Sequence, residues 1–148
     1  MKKFLYFRTV TDEDDDWGDI SSPSDGISTA NSCMVPVERI TGMWPSNDSV
    51  YNSGSPTNCS ADKITIFWKS NKDELLNDNV VLNIKQGSSR RVMAAIVSAM
   101  TAKVNGDGIT IVADDVTTDY DGTTRSAVYL TPDITSCGDI TQSSATSV

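Results

Sequence analysis

Two groups of carboxylates are the residues in this chain whose types and spacing could do chemistry. The first is the run DEDDDWGD at 12–19, in which acidic residues at 12, 14 and 16 begin like a calcium loop. Trp17 stands where the turn glycine belongs, and no glutamate closes the ring at the expected spacing. Because blocks of like charge are usually hydrated surface, the favoured interpretation is a solvated acidic loop. Changing Asp12–Asp16 to Asn should then leave the melting temperature intact.

The second group is Asp119-Tyr120-Asp121-Gly122, with Asp114 and Asp115 just upstream. Asx-turn chemistry, in which a short carboxylate accepts a hydrogen bond from a nearby backbone N–H, explains these residues without a metal. A metal-dependent enzyme would need Asp14 and Asp16 to converge in space with Asp119 and Asp121. The sequence therefore predicts no catalytic residue, no metal ligand and no cofactor.

Composition narrows the classes of function. The 148 residues carry a net charge of −8 and no histidine, which excludes Ser-His-Asp and Cys-His catalysis and histidine-based zinc sites. The acidic balance argues against nucleic acid and against an anionic membrane surface as partners. The three cysteines are far apart and form no CxxC, so buried or free thiols are expected.

Aromatic residues are better candidates for contact with a partner. Trp17 and Trp44 are expected in long polar loops, where an aromatic ring exposes apolar area unless it packs back or meets a partner. Trp68 is expected in a strand and in the core. The predicted partner-binding residues come from three places: the polar loops, the first strand, which can form a sheet edge, and the acidic run. They are Trp17, Trp44, Tyr51, Phe4, Tyr6, Asp14 and Asp16.

Hydrophobic periodicity predicts an α+β fold: a mostly antiparallel, curved or partly sandwiched sheet of about five to seven strands, with one amphipathic helix packed on it. Ser88 is the expected N-cap of that helix. Strands are predicted over 2–9, 32–41, 63–69, 80–85, 109–113 and 126–131, with a short seventh over 133–137, and the helix over 88–103.

The same pattern predicts one domain over 1–140, with long loops at 10–31 and 42–61, and a flexible tail over 141–148. The N-terminal segment MKKFLYFR has too few consecutive apolar residues for a signal peptide. No apolar run approaches the roughly 20 residues of a membrane span. Synthesis and assembly in a cytoplasm are therefore expected.

The order of segments resembles a known group of proteins. MKKFLYF opens the chain, and MVPVERITGM (34–43), ADKITIFWK (61–69), VVLNIKQG (80–87), VMAAIVSAM (92–100) and GITIVADDV (108–116) follow. This layout is similar to that of small structural proteins of tailed marine bacteriophages, cyanophages in particular. The resemblance implies a non-enzymatic virion protein, a capsid decoration or cement protein made in the host cytoplasm, which binds the major capsid protein in many copies on the capsid.

Two other classes stay open from the residues. One is a phage tail accessory or a carbohydrate- or host-binding module, which an exposed Trp17 or Trp44 on the monomer would favour. The other is the metal-dependent enzyme that would use the Asp clusters. A homo-oligomer also stays open. If Trp17 and Trp44 contact a partner, changing either to Ala should weaken assembly more than it destabilises the free domain.

Overall fold

The computed structural model describes residues 2–11, 27–47, 60–70, 77–103 and 106–143. Within these ranges the chain forms nine strands, one α helix and one short 3-10 helix. In chain order they are β1 (Phe4–Arg8), β2 (Ile27–Ala30), β3 (Ser32–Pro36), the 3-10 helix (Val37–Arg39), β4 (Ile40–Ser46), β5 (Lys63–Lys69), β6 (Asn77–Ile84), α1 (Ser89–Thr101), β7 (Ile109–Asp114), β8 (Val128–Tyr129) and β9 (Ile134–Ser143).

The strands form two sheets. The four-stranded sheet has the order β3-β1-β7-β8, and the five-stranded sheet has the order β2-β9-β6-β5-β4. All neighbouring strands are antiparallel except β1 and β7, which are parallel. The predicted α+β class with a mostly antiparallel arrangement is confirmed, although the described residues contain nine strands rather than five to seven.

The core lies between the inward faces of the two sheets and α1. Phe7 of β1 and Trp68 of β5 stack across it with ring centroids 6.3 Å apart and an interplanar angle of 9°. On β5 the alternation is as predicted, because Ile64, Ile66 and Trp68 are all buried. The helix adds its apolar stripe to the same cluster. Residues from both sheets and from α1 therefore share one hydrophobic core.

The helix begins directly after the predicted cap residue. The Ser88 carbonyl accepts the first helical hydrogen bond from the Val92 N–H at 3.0 Å, while the Ser88 hydroxyl donates to the Lys85 carbonyl at 2.6 Å. At the other end, the Lys3 ammonium donates to the carbonyls of Ala99 and Ala102. A cation at a helix C-terminus is favourable because the last carbonyls lack partners in the helix. This contact fixes the start of β1 against α1.

The predicted strand over 32–41 is wrong as one element. It consists of β3 and the start of β4, which belong to different sheets. Pro36 has no N–H to continue the pairing, so β3 ends there and the 3-10 helix carries the chain across to the second sheet. Pro36 does lie on an edge strand, as its missing donor predicted. β4 then continues to Ser46, so the expected loop at 42–61 opens with strand residues.

The C-terminal strand is longer than predicted. β9 runs through Ser143, into the range expected to be a flexible tail, and its last residues pair with β2, which lies inside the expected loop at 10–31. The buried apolar residues of β9 are Ile134, Cys137 and Ile140. Two register shifts opposite β6 stretch their spacing from two residues to three. Strands are predicted from apolar residues at a spacing of two. A spacing of three therefore hid the full length of β9 in the sequence.

Candidate functional site

The outward side of the four-stranded sheet carries a grid of apolar side chains. On β1, Leu5 and Phe7 are buried, so Phe4 and Tyr6 project from the opposite side of the strand. Phe4 pairs with Pro36 on one side and Ile109 on the other. Tyr6 pairs with Met34 and Ile111 in the same way. Residues directly paired across strands share a side of the sheet. We call this set the apolar face: Phe4, Tyr6, Met34, Pro36, Ile109 and Ile111.

The apolar face is open to solvent. Met34 is 46% exposed, and Ile109 and Ile111 are each 37% exposed. Phe4, Tyr6 and Pro36 are half-buried. At the usual strand spacing, the two rows of three residues span about 10 Å across the strands and about 7 Å along them. Single exposed apolar residues are ordinary, whereas a contiguous group of this kind is a candidate interaction surface.

Charged residues border the apolar face at both ends. Lys2 and Glu38 form an exposed ion pair at 3.2 Å beyond the Phe4 row. Beyond the Tyr6 row, Arg8 pairs in register with Asp114, and both side chains are buried. The face itself contains no charged residue. An uncharged centre is also typical of interface cores.

The outward side of the five-stranded sheet is different, because its exposed aromatic stands among polar side chains. Trp44 of β4 is 61% exposed. Its ring meets Phe67 of β5 edge to face, with centroids 4.9 Å apart. A depression of about 210 Å³ lies beside them, lined also by Thr41 and Gly42. Trp44 is therefore held by a neighbouring ring while most of its surface stays in water.

The Asp pair at 114–115 has a structural role. The N–H of Cys137 donates to both carboxylate oxygens of Asp115, at 3.0 and 3.1 Å, and the Tyr129 hydroxyl donates to it at 2.6 Å. These bonds join the end of β7 to β8 and to β9, which lies in the other sheet. Burial and the hydrogen bond to Asp115 raise the pKa of Tyr129 above its ordinary range. Asp115 therefore fixes one sheet to the other.

Asp114 holds the following loop. Arg125 Nη2 donates to its Oδ2 at 2.7 Å, and the Val116 N–H donates to its Oδ1 at 3.1 Å. Arg125 also lies 3.5 Å from a carboxylate oxygen of Asp119. In Asp121 the predicted Asx turn is confirmed, since its Oδ1 accepts the Thr123 N–H at 3.0 Å. These carboxylates are thus occupied by donors from the chain itself.

The two described cysteines, Cys33 and Cys137, are thiols. Burial, followed by the charge of Asp78, raises the pKa of Cys33 to about 12. Burial, followed by the charge of Asp115, raises the pKa of Cys137 beyond its ordinary range. Since a thiolate is the reactive form, both sulfurs are protected in the folded chain.

The structure distributes the predicted partner-binding residues over two surfaces. Phe4 and Tyr6 lie together on the apolar face, and Trp44 lies on the other sheet. The remaining four, Trp17, Tyr51, Asp14 and Asp16, lie outside the described residues. Within the ranges that are described, no three His, Cys, Asp or Glu side chains gather in a way that could hold a metal ion.

The sequence interpretation missed the residues that complete the apolar face: Met34, Pro36, Ile109 and Ile111. A signal was present, because GITIVADDV places apolar residues at consecutive positions, and a strand of that kind is apolar on both sides. The cross-strand register that unites these residues with Phe4 and Tyr6 could not be read from local pattern.

Among the helices in the described ranges, none has the length and apolar character needed to cross a membrane. Comparison with known proteins adds no relative. No protein-family model, no curated protein and no solved structure matches this chain.

Proposed function

We propose that this chain is a non-enzymatic virion structural protein, a capsid decoration protein that binds the major capsid protein through the apolar face. The observation that carries the proposal is the grid itself. Six apolar residues from three adjacent strands stand side by side on an open sheet surface. The resemblance of the segment order to phage structural proteins supports the choice of partner.

The composition of the apolar face suits a protein partner. Aromatic residues and Met are enriched where two folded proteins meet, and charged residues are depleted there. The face supplies Phe4, Tyr6 and Met34 within an uncharged area. Side chains held on paired strands are also positioned in advance, so binding orders few additional groups.

Size and charge argue for a capsid lattice over a second copy of this chain. The six side chains expose a few hundred Å² at most, whereas a stable interface buries about 800 Å² on each partner. Two copies, each with a net charge of −8, also repel each other at the closest approach. A small contact becomes effective when it is repeated on a lattice, where many weak sites act together.

Co-sedimentation with empty capsid shells of the tailed phage that carries this chain tests the proposal. We expect saturable binding in many copies per shell, unchanged by a chelator, because no metal enters the contact. Absence of binding, or binding that a chelator abolishes, would contradict the proposal. Analytical ultracentrifugation of the protein alone is the companion measurement. A dimer that Met34→Thr dissociates would assign the apolar face to a second copy instead.

A second candidate function is favoured by Trp44. An exposed tryptophan on the monomer is the feature expected of a tail accessory or a carbohydrate- or host-binding module, and Trp44 is 61% exposed. It lies on the sheet opposite the apolar face, so the two candidate functions use different surfaces. Changing Trp44 to Ala while measuring shell binding separates them. The capsid proposal predicts unchanged shell binding by this variant.

A further inference from the structure

We propose that the outward side of the five-stranded sheet is a binding site for a neutral oligosaccharide, with Trp44 as its stacking platform. This inference rests on the second candidate function, the carbohydrate-binding module, and it stands apart from the capsid proposal because it uses the other sheet. It rests on a polar trough beside Trp44, on a fixed chain of hydrogen-bonding side chains in that trough, and on the balance of charge there.

The trough is built by four neighbouring strands. It has a volume of about 340 Å³ and is open on one side. Ser46 of β4 and Lys63 of β5 are paired residues that line one wall, and Asn83 of β6 and Asp139 of β9 line the other parts. A volume of this size lies within the roughly 300–1,000 Å³ of small-molecule sites.

A β-bulge in β9 lies in the lining of the trough. Val80 pairs with Ile140 and Leu82 with Cys137, so Gly138 and Asp139 together face the single residue Val81. A Cβ on Gly138 would lie 2.8 Å from the Val81 carbonyl oxygen, which leaves no room for a side chain. Only glycine therefore allows β9 to lie this close to β6, and both residues of the bulge, Gly138 and Asp139, line the trough.

A chain of hydrogen bonds holds the polar groups of the trough in place. Lys63 Nζ donates to Asn83 Oδ1 at 3.1 Å, and Asn83 Nδ2 donates to Ser136 Oγ at 2.8 Å. The bonds cross three strands and fix the orientation of the Asn83 amide. Because a saccharide hydroxyl both donates and accepts, it is recognised by a site that offers donors and acceptors in fixed positions.

The aromatic pair stands at the edge of this polar surface. Trp44 pairs with Thr65, which also lines the trough. One side of a pyranose ring presents C–H groups and stacks on an indole, while its hydroxyls point outward in the ring plane. A sugar stacked on Trp44 would therefore direct hydroxyls toward the trough. From β4 to β9 the surface spans about 14 Å at the usual strand spacing, which suits several linked sugars.

The charge of the trough favours a neutral ligand. Its lining contains one lysine and one aspartate, Lys63 and Asp139, within a chain whose net charge is −8. A polyanion such as single-stranded nucleic acid also stacks on exposed aromatics, but it requires a clearly positive groove. An uncharged oligosaccharide meets no such requirement.

Binding of defined oligosaccharides to the full chain tests the inference. The probes are maltohexaose, cellohexaose, xylohexaose and chitohexaose, each titrated to about 10 mM and followed by saturation-transfer NMR, with a dT decamer as the anionic probe. We expect at least one hexasaccharide to bind saturably and the decamer not to bind. Trp44→Ala should weaken that binding at least about ten-fold, and Asn83→Ala should also weaken it.

The matched control is Tyr120→Ala, which removes an aromatic side chain that is 74% exposed in the loop after β7. We expect it to change saccharide binding less than about two-fold. The inference is overturned if no hexasaccharide binds saturably, if Trp44→Ala binds as well as the unaltered chain, or if the decamer alone binds. None of these results bears on the binding of capsid shells. Failure of the oligosaccharide proposal is therefore distinct from failure of the capsid proposal.

Discussion

The two sides of β1 carry similar residues and have different surroundings. Leu5 and Phe7 point inward and are 1% and 0% exposed, whereas Phe4 and Tyr6 point outward and are half-buried. Burial in the core explains the inward pair, because apolar area removed from water stabilises the fold. The outward pair stays partly exposed, so its rings lose less area to the core than the inward pair does. This difference is the basis of our proposal that one side of the sheet serves folding and the other serves contact with a partner.

The largest expected effect is on the inward side. Phe7→Ala removes the ring stacked on Trp68 and leaves a cavity between the sheets, so we expect a loss of about 3–5 kcal/mol in the free energy of unfolding. Phe4→Ala on the same strand is the control, and because Phe4 is half-buried we expect it to lose less, about 1–2 kcal/mol. Urea unfolding measures both. Equal losses would remove the distinction between the two sides.

Next in size is the polar contact that joins the sheets. Asp115→Ala leaves the buried N–H of Cys137 without its acceptor, so we expect a loss of about 1–3 kcal/mol in the free energy of unfolding. Asp121→Ala, which removes an exposed Asx turn, should lose under about 0.5 kcal/mol. If urea unfolding finds the two variants alike, Asp115 does not fix the sheets together.

The reactivity of two cysteine thiols tests whether their side chains are buried, with a smaller expected effect on stability. In a Cys59→Ser variant, Cys33 and Cys137 should react with iodoacetamide at pH 8 far more slowly in the folded chain than in urea. Burial raises the pKa of Cys33 from 9.0 to about 12, so the folded state favours the protonated thiol. The preference of the folded state for the protonated Cys33 thiol contributes fully to stability below about pH 9. This contribution is lost as the pH rises toward about 12. Rapid alkylation in the folded chain would contradict the burial of both sulfurs.

The smallest expected effect concerns the ion pair between Arg91 and Asp133, just before β9. The hydrogen bond from Arg91 lowers the pKa of Asp133, and Arg91 Nε lies 3.1 Å from its Oδ2. A lowered carboxyl pKa stabilises the fold above the unfolded value and is lost as the pH falls through the folded one. Asp133→Asn should therefore lower the melting temperature slightly at pH 7, and the difference from the unaltered chain should disappear as the pH falls below about 4. An unchanged acid profile would show that the pair adds nothing to stability.

Local pattern predicted the regular parts of the fold. The limits of β5 were predicted as observed, over Lys63–Lys69, because KITIFWK alternates cleanly between the core and the outward side. β9 was cut short because two register shifts hide its alternation. β3 and β4 were merged because nothing local says that the chain leaves one sheet for another at Pro36. Each error arose where tertiary pairing overrides the simple period of two.

The candidate surfaces were predictable in part. Phe4, Tyr6 and Trp44 were chosen as partner-binding residues from their type and position, and their binding of a partner stays a prediction. The other members of the apolar face come from β3 and β7, whose pairing with β1 joins residues far apart in sequence. The polar trough depends on a bulge and on four strands in register. Such features follow from topology, which a single sequence does not specify.

The most direct test of the account uses Met34→Thr together with Ile111→Thr. Threonine keeps the preference for a strand while removing apolar area from the apolar face. Val97→Thr is the matched control, because it changes a helical side chain that is 46% exposed elsewhere on the molecule.

Shell binding and urea unfolding are measured on the same preparations. The account predicts that the double variant loses at least about ten-fold in affinity for shells and under about 1.5 kcal/mol in the free energy of unfolding, with Val97→Thr unchanged in binding. Unaltered shell binding by a folded double variant would contradict the central claim that the outward side of this sheet is the contact with a partner.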